Sequence, residues 1–172
     1  MVFKVLKKQN NSKDCLVCGT KNAAGLNANF YECLDENNQN VLIGVYVAKF
    51  EHQSYPNRMH GGMISAILDE AIGRAVQINN PDIWGVTIDM TVKFKKPVLL
   101  EQTLYSVSKI NTKSNIGFKG SGYLCGRDGV ILASADATYF IMPPEKISLV
   151  ALDKTNWYYV DEKIPESFKI GE

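Results

Sequence analysis

Long hydrophobic runs are absent from this sequence of 172 residues. No apolar stretch approaches the roughly 20 residues that a membrane-spanning helix needs, so the sequence predicts no membrane segment. The apolar part of the N-terminus is too short and too interrupted for a secretory signal peptide, and we therefore expect a cytoplasmic protein. An excess of one charge is also lacking, since the formal net charge is +1. That balance argues against a nucleic-acid partner held by bulk charge.

Histidine and cysteine are scarce, with two and four copies respectively. Cys15 and Cys18 have the spacing of two zinc ligands, but no second Cys-x-x-Cys motif completes a set of four. Cys33 and Cys125 stand singly in strand-like stretches, and structural disulfides are not expected in the cytoplasm. The sequence therefore predicts no metal site and no other cofactor.

Strand-like stretches dominate what is present, and only one strong helical pattern, about Gly61 to Ile78, interrupts them. Because strands and helices do not alternate, a doubly wound parallel sheet is not expected. The pattern favours an α+β fold in which a mainly antiparallel sheet curls around one helix. We expect a polar lead-in at 1–14, one domain at 15–143, and a C-terminal extension at 144–172 to which the sequence gives no role.

The strand pattern from Val86 to Lys95 alternates strictly between apolar and polar residues. It predicts a half-buried strand with Val86, Met90 and their alternate neighbours on one face and Thr87 on the other. In the last strand, one face carries three alanines followed by Tyr139, which predicts that another element packs very close to it.

The helix contains two consecutive acids, Asp69 and Glu70, within a mostly apolar circumference. Glu70 has a natural partner in Arg74 at i, i+4. Asp69 has none, and the small residues around it, including Gly73, form a shallow trough. A glycine within a helix costs roughly 1 kcal/mol relative to alanine, so Gly73 needs a packing or functional reason. Asp69 is thus either a structural acid that is hydrogen-bonded to a neighbouring strand or to a partner subunit, or a functional carboxylate.

The start of the helix reads His60-Gly61-Gly62. A helix N-terminus presents free backbone N–H groups and a partial positive charge, and glycines allow a substrate carbonyl to come close. The motif is compatible with an oxyanion site, and equally with a tight entry turn that needs glycine.

The segment from His60 to Ala71 closely resembles the core motif of hot-dog-fold thioesterases of the phenylacetate-pathway (PaaI-like) type. Four flanking segments resemble the same family in the right order, so that the resemblance covers about 15–143. They are Cys15-Leu16-Val17-Cys18-Gly19, Gln53-Ser54-Tyr55-Pro56, Val86-Thr87-Ile88-Asp89-Met90, and Asp128-Gly129 through Phe140.

This resemblance implies an acyl-coenzyme A thioesterase that forms a homodimer or homotetramer with its site between two subunits. Asp69 of one subunit would act as general base or nucleophile, opposite the helix start of the other. Gly61 would offer its N–H to the thioester carbonyl, Thr87 would help to position water, and His60 would form a hydrogen bond near the carbonyl. The substrate arrives activated, so the chemistry needs no cofactor.

The sequence departs from the family pattern at one position. Many relatives carry an asparagine six residues before the motif histidine, where this chain has Ser54. Gln53 or Asn57 could take its place, so these three residues and Gly62 are the candidate substrate-binding positions.

Three further functions are compatible with the same fold. The main one is a non-catalytic module that binds acyl-CoA or lipid, which would keep the pocket without needing the acid. A hot-dog dehydratase or hydratase would also act on acyl thioesters, but it usually pairs a catalytic histidine with an acid in a different arrangement. A purely structural dimerisation domain would require none of the motifs that coincide here.

Overall fold

The computed structural model describes residues 1–148 and 155–171. An eight-stranded sheet has the order β10-β1-β3-β4-β6-β7-β8-β5, and every neighbouring pair is antiparallel. Strands β2 and β9 form a separate pair. The strands are β1 (Val2–Lys8), β2 (Asn11–Ser12), β3 (Asn29–Leu34), β4 (Asn40–Val47), β5 (Gly85–Phe94), β6 (Thr103–Lys113), β7 (Gly117–Gly126), β8 (Ile131–Ile141), β9 (Trp157–Tyr158) and β10 (Ser167–Lys169). The helices are α1 (Gly61–Ala75) and the short α2 (Pro144–Ile147), with a 3-10 turn at Phe50–His52.

Helix α1 lies in the concave face of the sheet, in contact with strands β4 to β8. Its Ile67, Leu68 and Ile72 are fully buried in the larger of two hydrophobic clusters. The helix comes very close to β7, because a Cβ on Gly120 would lie 2.6 Å from Cγ2 of Ile72. The alanines of β8 face the same cluster, so the close neighbour that their small size predicts is the helix.

A second hydrophobic cluster covers the opposite face of the sheet. The C-terminal residues Phe168 and Ile170 pack there against strand residues such as Tyr31 and Tyr105. Strand β10 pairs with β1, and β1 pairs with β3. The ends of the chain, for which the sequence indicates only a lead-in and an extension of no assigned role, thus supply two strands of the main sheet.

Strand β5 lies at one edge of the sheet and bonds only to β8 among the described strands. Met90 and Val92 contact the main core, whereas Val86, Ile88 and Phe94 are 38%, 64% and 57% exposed. The prediction of a half-buried strand is therefore wrong for much of its length, because nothing in this single chain covers these apolar side chains. None of the described helices has the length and apolarity to cross a membrane.

The close contact between α1 and β7 predicts that Gly120→Ala destabilises the protein. The new methyl group would meet Ile72 and also lie 2.9 Å from the carbonyl oxygen of Lys109, an atom that cannot rotate away. Overpacking of this kind costs about 1–3 kcal/mol, which urea unfolding would measure.

Gly126→Ala in the same strand is the matched control. There the new methyl group would meet only Oδ1 of the exposed Asp128, at 2.8 Å, and that side chain can move. Equal midpoints for the two variants would show that the helix does not approach β7 as closely as the structure indicates.

Candidate active site

Asp69 lies in the middle of α1, and two side chains of the sheet hold one of its carboxylate oxygens. Oδ1 accepts hydrogen bonds from Oγ1 of Thr87 at 2.7 Å and from Oη of Tyr139 at 3.1 Å. Within the described residues, Oδ2 accepts no hydrogen bond. The carboxylate is therefore fixed through one oxygen and presents the other to a ligand or a water molecule.

A β-bulge in β5 aims Thr87 at Asp69. The register with β8 shifts between Thr87 and Asp89, so that Thr87 pairs with Tyr139 and Met90 with Ala137. Directly paired residues share a face of the sheet, and Thr87 consequently faces the helix together with Met90. The predicted strict alternation, which places them on opposite faces, is wrong at this point because Ile88 is the extra residue of the bulge.

Tyr139 is the site residue that the sequence reasoning missed. Its ring lies over Gly73, where a Cβ would stand 3.2 Å from Cε1. Its single hydroxyl proton is shared between Oδ1 of Asp69 at 3.1 Å and the Asp69 carbonyl oxygen at 2.9 Å. Burial, and then the charge of Asp69, raise the pKa of Tyr139 above its ordinary value, so the hydroxyl stays protonated and donates. Two features of the sequence could have identified it. Tyr139 ends the face of alanines that is predicted to pack against another element, and the helix contains Gly73, whose missing side chain leaves room for an aromatic ring.

The start of α1 leaves one backbone amide open. His60 is the N-cap, and its Nδ1 accepts a hydrogen bond from the Gly62 N–H at 2.8 Å. A Cβ on Gly62 would lie 2.9 Å from the same ring nitrogen, which explains the second glycine. Within the described residues, the Gly61 N–H has no acceptor. Of the two predicted glycines, only Gly61 has its amide free for a carbonyl oxygen.

In the loop before the helix, the side chain of Gln53, predicted to bind substrate, instead forms a hydrogen bond within the loop. Oε1 of Gln53 accepts the Asn57 N–H at 2.7 Å, and Asn57 has a left-handed backbone with φ of 57°. Ser54 is exposed and lines a groove of about 570 Å³ that also contains Gly61. The remaining lining includes Phe94 and three cations, namely Arg58, Lys95 and Lys96. Ser54 and Gly61 thus line the same groove, whereas Gln53 and Asn57 do not.

Gly61 and Asp69 cannot reach the same atom within one chain. Eight residues separate them on one helix, which at a rise of 1.5 Å per residue is about 12 Å. A carbonyl group bonded to the Gly61 amide is therefore too far away for Asp69 of the same chain to act on it. Each chain thus has two separate groups of candidate site residues, one at the start of α1 and one at its middle.

A cavity of about 300 Å³ adjoins Asp69 and runs beside the second half of α1. Thr87, Tyr139 and Asp69 line one part of it, and Gln77 lines another. Trp84 and Trp157 form an aromatic wall, with ring centroids 4.9 Å apart. The remaining lining comes from β2, the loop after it, α1 and the first residue of β5, and it includes several polar side chains: Ser12, Cys15, Cys18, Glu70, Gly73, Arg74 and Gly85.

The polar lining of this cavity is organised by Arg74. Its guanidinium is buried, donates to Glu70 at 2.8 Å and to Sγ of Cys18 at 2.9 Å, and lies 4.4 Å from the centroid of the Trp157 ring. The predicted pairing of Glu70 with Arg74 is confirmed. Cys15, Cys18 and Glu70 offer three ligand atoms within 4.8 Å of one another. The guanidinium already uses two of these three groups, which disfavours a second cation there.

Comparison with known proteins agrees with this architecture. Residues 57–115 match the family model described as thioesterase superfamily. The matched segment includes α1, with Gly61 and Asp69, together with Thr87. The resemblance seen in the sequence is therefore confirmed for this segment. Strands β1 to β4 and β7 to β10 lie outside the match.

Solved structures confirm the predicted hot-dog fold. A thioesterase superfamily protein of known crystal structure superimposes with a TM-score of 0.63 at 19% identity, covering 73% of this chain and 59% of that one. A phenylacetic acid degradation-related protein of Ralstonia eutropha, named as a putative thioesterase, gives 0.53 at 23% identity, covering 58% and 75%. A hypothetical thioesterase from Streptococcus pneumoniae, solved with coenzyme A, gives 0.55 at 16% identity, covering 60% and 79%.

A curated relative is an uncharacterised protein of Schizosaccharomyces pombe. It is 34% identical over 104 aligned positions, which cover 55% of this chain and 55% of the relative. The chain therefore spans little more than half the length of this relative and of the first solved structure.

Cys15 is predicted to be the most reactive cysteine, because it is only partly buried whereas Cys18, Cys33 and Cys125 are buried. A hydrogen bond from the Cys18 thiol lowers the pKa of Cys15, against the opposing effects of burial and of Glu70. Burial raises the pKa of Cys33 and of Cys125 to about 12. A lower pKa means more thiolate at a given pH, and the thiolate is the species that reacts.

At pH 8 we expect iodoacetamide to modify Cys15 at least about tenfold faster than Cys33 or Cys125, as followed by peptide mass spectrometry. A Cys15→Ser variant is the control and should lose the fast phase. Fast modification of Cys33 or Cys125 in the folded protein would contradict the structure.

Proposed function

We propose that this protein hydrolyses acyl-coenzyme A thioesters to the free acid and coenzyme A. The observation that carries the proposal is the state of Asp69, whose Oδ1 is held by Thr87 and Tyr139 while Oδ2 remains open. An acid held in this way, beside a cavity, suits proton transfer better than a structural role. The thioesterase superfamily match over the same residues supports the assignment.

In the proposed reaction Asp69 acts as the general base. Oδ2 takes a proton from a water molecule as the water attacks the thioester carbonyl carbon. When the C–S bond breaks, that proton passes to the departing sulfur, so that coenzyme A leaves as the thiol and Asp69 is again a carboxylate. Thr87 and Tyr139 fix the orientation of the carboxylate, which removes rotational freedom before the reaction. The same open oxygen also suits direct attack on the carbonyl carbon, and incorporation of ¹⁸O from labelled water into Asp69 during a single turnover would distinguish this route.

The amide of Gly61 supplies the oxyanion site in this proposal. It lies at the positive end of α1, where a backbone N–H stabilises the negative charge that develops on the carbonyl oxygen. Because Gly61 and Asp69 of one chain are about 12 Å apart, the carbonyl must lie between Asp69 of one chain and Gly61 of a second. The active unit is therefore a homodimer with two composite sites, or a homotetramer made of such dimers.

The edge strand β5 supports this assembly. It carries Thr87, it lacks a partner on one side within the described residues, and its Val86, Ile88 and Phe94 are exposed. An unprotected edge with apolar side chains is a surface on which a second copy can pair. Phe94 also lies beside Gly61, where a Cβ would be 3.5 Å from its ring, so the same surface reaches the start of the helix.

The groove at the helix start is the proposed entry for coenzyme A. Arg58, Lys95 and Lys96 line it and suit the phosphate groups of that carrier, and Ser54 lines the same groove as Gly61. Gln53 and Asn57 act by holding this loop in shape, and His60 acts as the cap that leaves the Gly61 amide open. The Streptococcus pneumoniae structure with coenzyme A supports this choice of carrier.

The proposal predicts that Asp69→Asn lowers kcat by at least about a hundredfold, because loss of a positioned general base typically costs 10²–10⁴ in rate. Thiol release from a panel of acyl-CoAs, followed with a thiol reagent, measures this. Asp82→Asn, which changes an exposed acid just beyond the helix, is the matched control and should retain full activity. Tyr139→Phe should fall between the two.

An Asp69→Asn enzyme with undiminished kcat would rule out the catalytic role. If the unmodified protein releases no thiol from any acyl-CoA but binds one tightly, the protein is instead the non-catalytic acyl-CoA-binding module.

The composite site predicts complementation between two inactive variants. Gly61→Pro removes the oxyanion donor, and proline is well tolerated at the first position of a helix. A heterodimer of Gly61→Pro and Asp69→Ala has one site with both lesions and one site with neither. Purified through two different tags, it should recover about half of the activity of the unmodified dimer, whereas each homodimer stays inactive. No recovery would place the two groups in the same chain's site.

A further inference from the structure

Both tryptophans of the chain lie in the cavity beside Asp69, and they come from different parts of the sequence. Trp84 precedes β5, whereas Trp157 belongs to β9 in the C-terminal extension. Strand β9 pairs with β2 through Asn11 and Tyr158, which fixes the position of Trp157. The ring of Trp157 contacts that of Trp84 on one side and the Arg74 guanidinium on another.

The contact of Trp157 with Arg74 shows where its ring lies along α1. Arg74 lies five residues beyond Asp69 on α1, which is about 7.5 Å along the helix axis. With carbon–carbon bonds of about 1.5 Å in an extended zigzag, a chain of roughly six carbons covers that distance. The cavity volume of about 300 Å³ is also at the small end of the range for ligand sites.

We propose that Trp157 is the end wall of the acyl pocket and that it restricts the acyl group to short chains of about six carbons or fewer. The inference rests on the proposed thioesterase function, since it assigns this cavity to the acyl group of that substrate. Trp157 determines specificity in this role and takes no part in the chemistry. The buried ion pair of Arg74 and Glu70 beneath its ring adds a polar boundary that a longer hydrocarbon chain would have to desolvate.

Trp157 lies outside the segment that the family model matches, which ends at residue 115. The choice of acyl group is thus assigned to the C-terminal extension, whereas the reacting groups belong to the helix and β5.

The first test compares kcat/KM for straight-chain acyl-CoAs of two to twelve carbons. The unmodified protein should favour the chains of six carbons or fewer over the twelve-carbon chain by at least about tenfold. Trp157→Ala should raise the ratio of twelve-carbon to six-carbon activity about tenfold or more, because methylene groups gain a place in the pocket. Trp157→Phe should give an intermediate ratio. A variant that folds poorly loses activity equally on every substrate, so the ratio still reports on the wall.

Tyr159→Ala is the matched control, since Tyr159 lies two residues further along the same segment, is exposed and does not line the cavity. Its chain-length profile should equal that of the unmodified protein. An unchanged profile in Trp157→Ala, or the same change in Tyr159→Ala, would overturn the proposal.

The second test uses binding alone and separates this proposal from the proposed function. Because the only two tryptophans line the cavity, their fluorescence reports on its occupancy directly. Non-hydrolysable S-alkyl-CoA thioethers of four to six carbons should change the emission, whereas coenzyme A alone and the twelve-carbon thioether should not. In Trp157→Phe the twelve-carbon thioether should change the emission of Trp84. If no acyl-CoA is hydrolysed but this binding pattern is observed, the thioesterase function is rejected and the role of Trp157 in limiting chain length stands. Equal binding of short and long thioethers would reject the role of Trp157.

Discussion

The close packing of α1 against the concave face of the sheet is the constraint on which the rest of the structure depends. The helix approaches β7 so closely that Gly120 and Gly122 have no room for a side chain beside Ile72. At that distance Thr87 and Tyr139 can reach a short aspartate side chain in the middle of the helix. A helix held further out would leave Asp69 in a wide, wet groove without these two donors. Packing and site geometry therefore share one cause.

The burial of one helix also explains why a single chain holds only half of each proposed site. The start of α1 must end at a loop, where its open amide is accessible, and the acid must lie where the sheet can hold it. These two requirements separate Gly61 and Asp69 by about 12 Å. The exposed edge of β5 lies next to both, since it carries Thr87 at one end and Phe94 at the other. Pairing of two such edges supplies in a dimer what one helix cannot supply alone.

The chain beyond β8 completes the molecule on both faces of the sheet. Phe168 and Ile170 cover the outer cluster, while Trp157 reaches the cavity on the helix side. The segment between them carries Glu162, whose carboxylate accepts from the hydroxyl of Tyr31 and pairs with Lys8 at 3.0 Å. Two short strands and these polar contacts hold a segment in which the sequence shows no long periodic pattern. In the proposed enzyme this segment shapes the substrate pocket and leaves the reacting groups unchanged.

The sequence by itself determined the number and type of the central elements and the burial of α1, and it singled out Asp69 and Gly61 as candidate site residues. Each of these depends on local periodicity or on the unusual placement of an acid or a glycine, and such signals are visible in a linear pattern. The resemblance to a family added Thr87, which the pattern alone placed on the wrong face. Only the tertiary structure decided that face, because a bulge at Ile88 depends on pairing with β8 and leaves no mark in the alternation. The same holds for Tyr139 and Trp157, which reach the site from strands distant in sequence, so that their roles exist only once the sheet has formed.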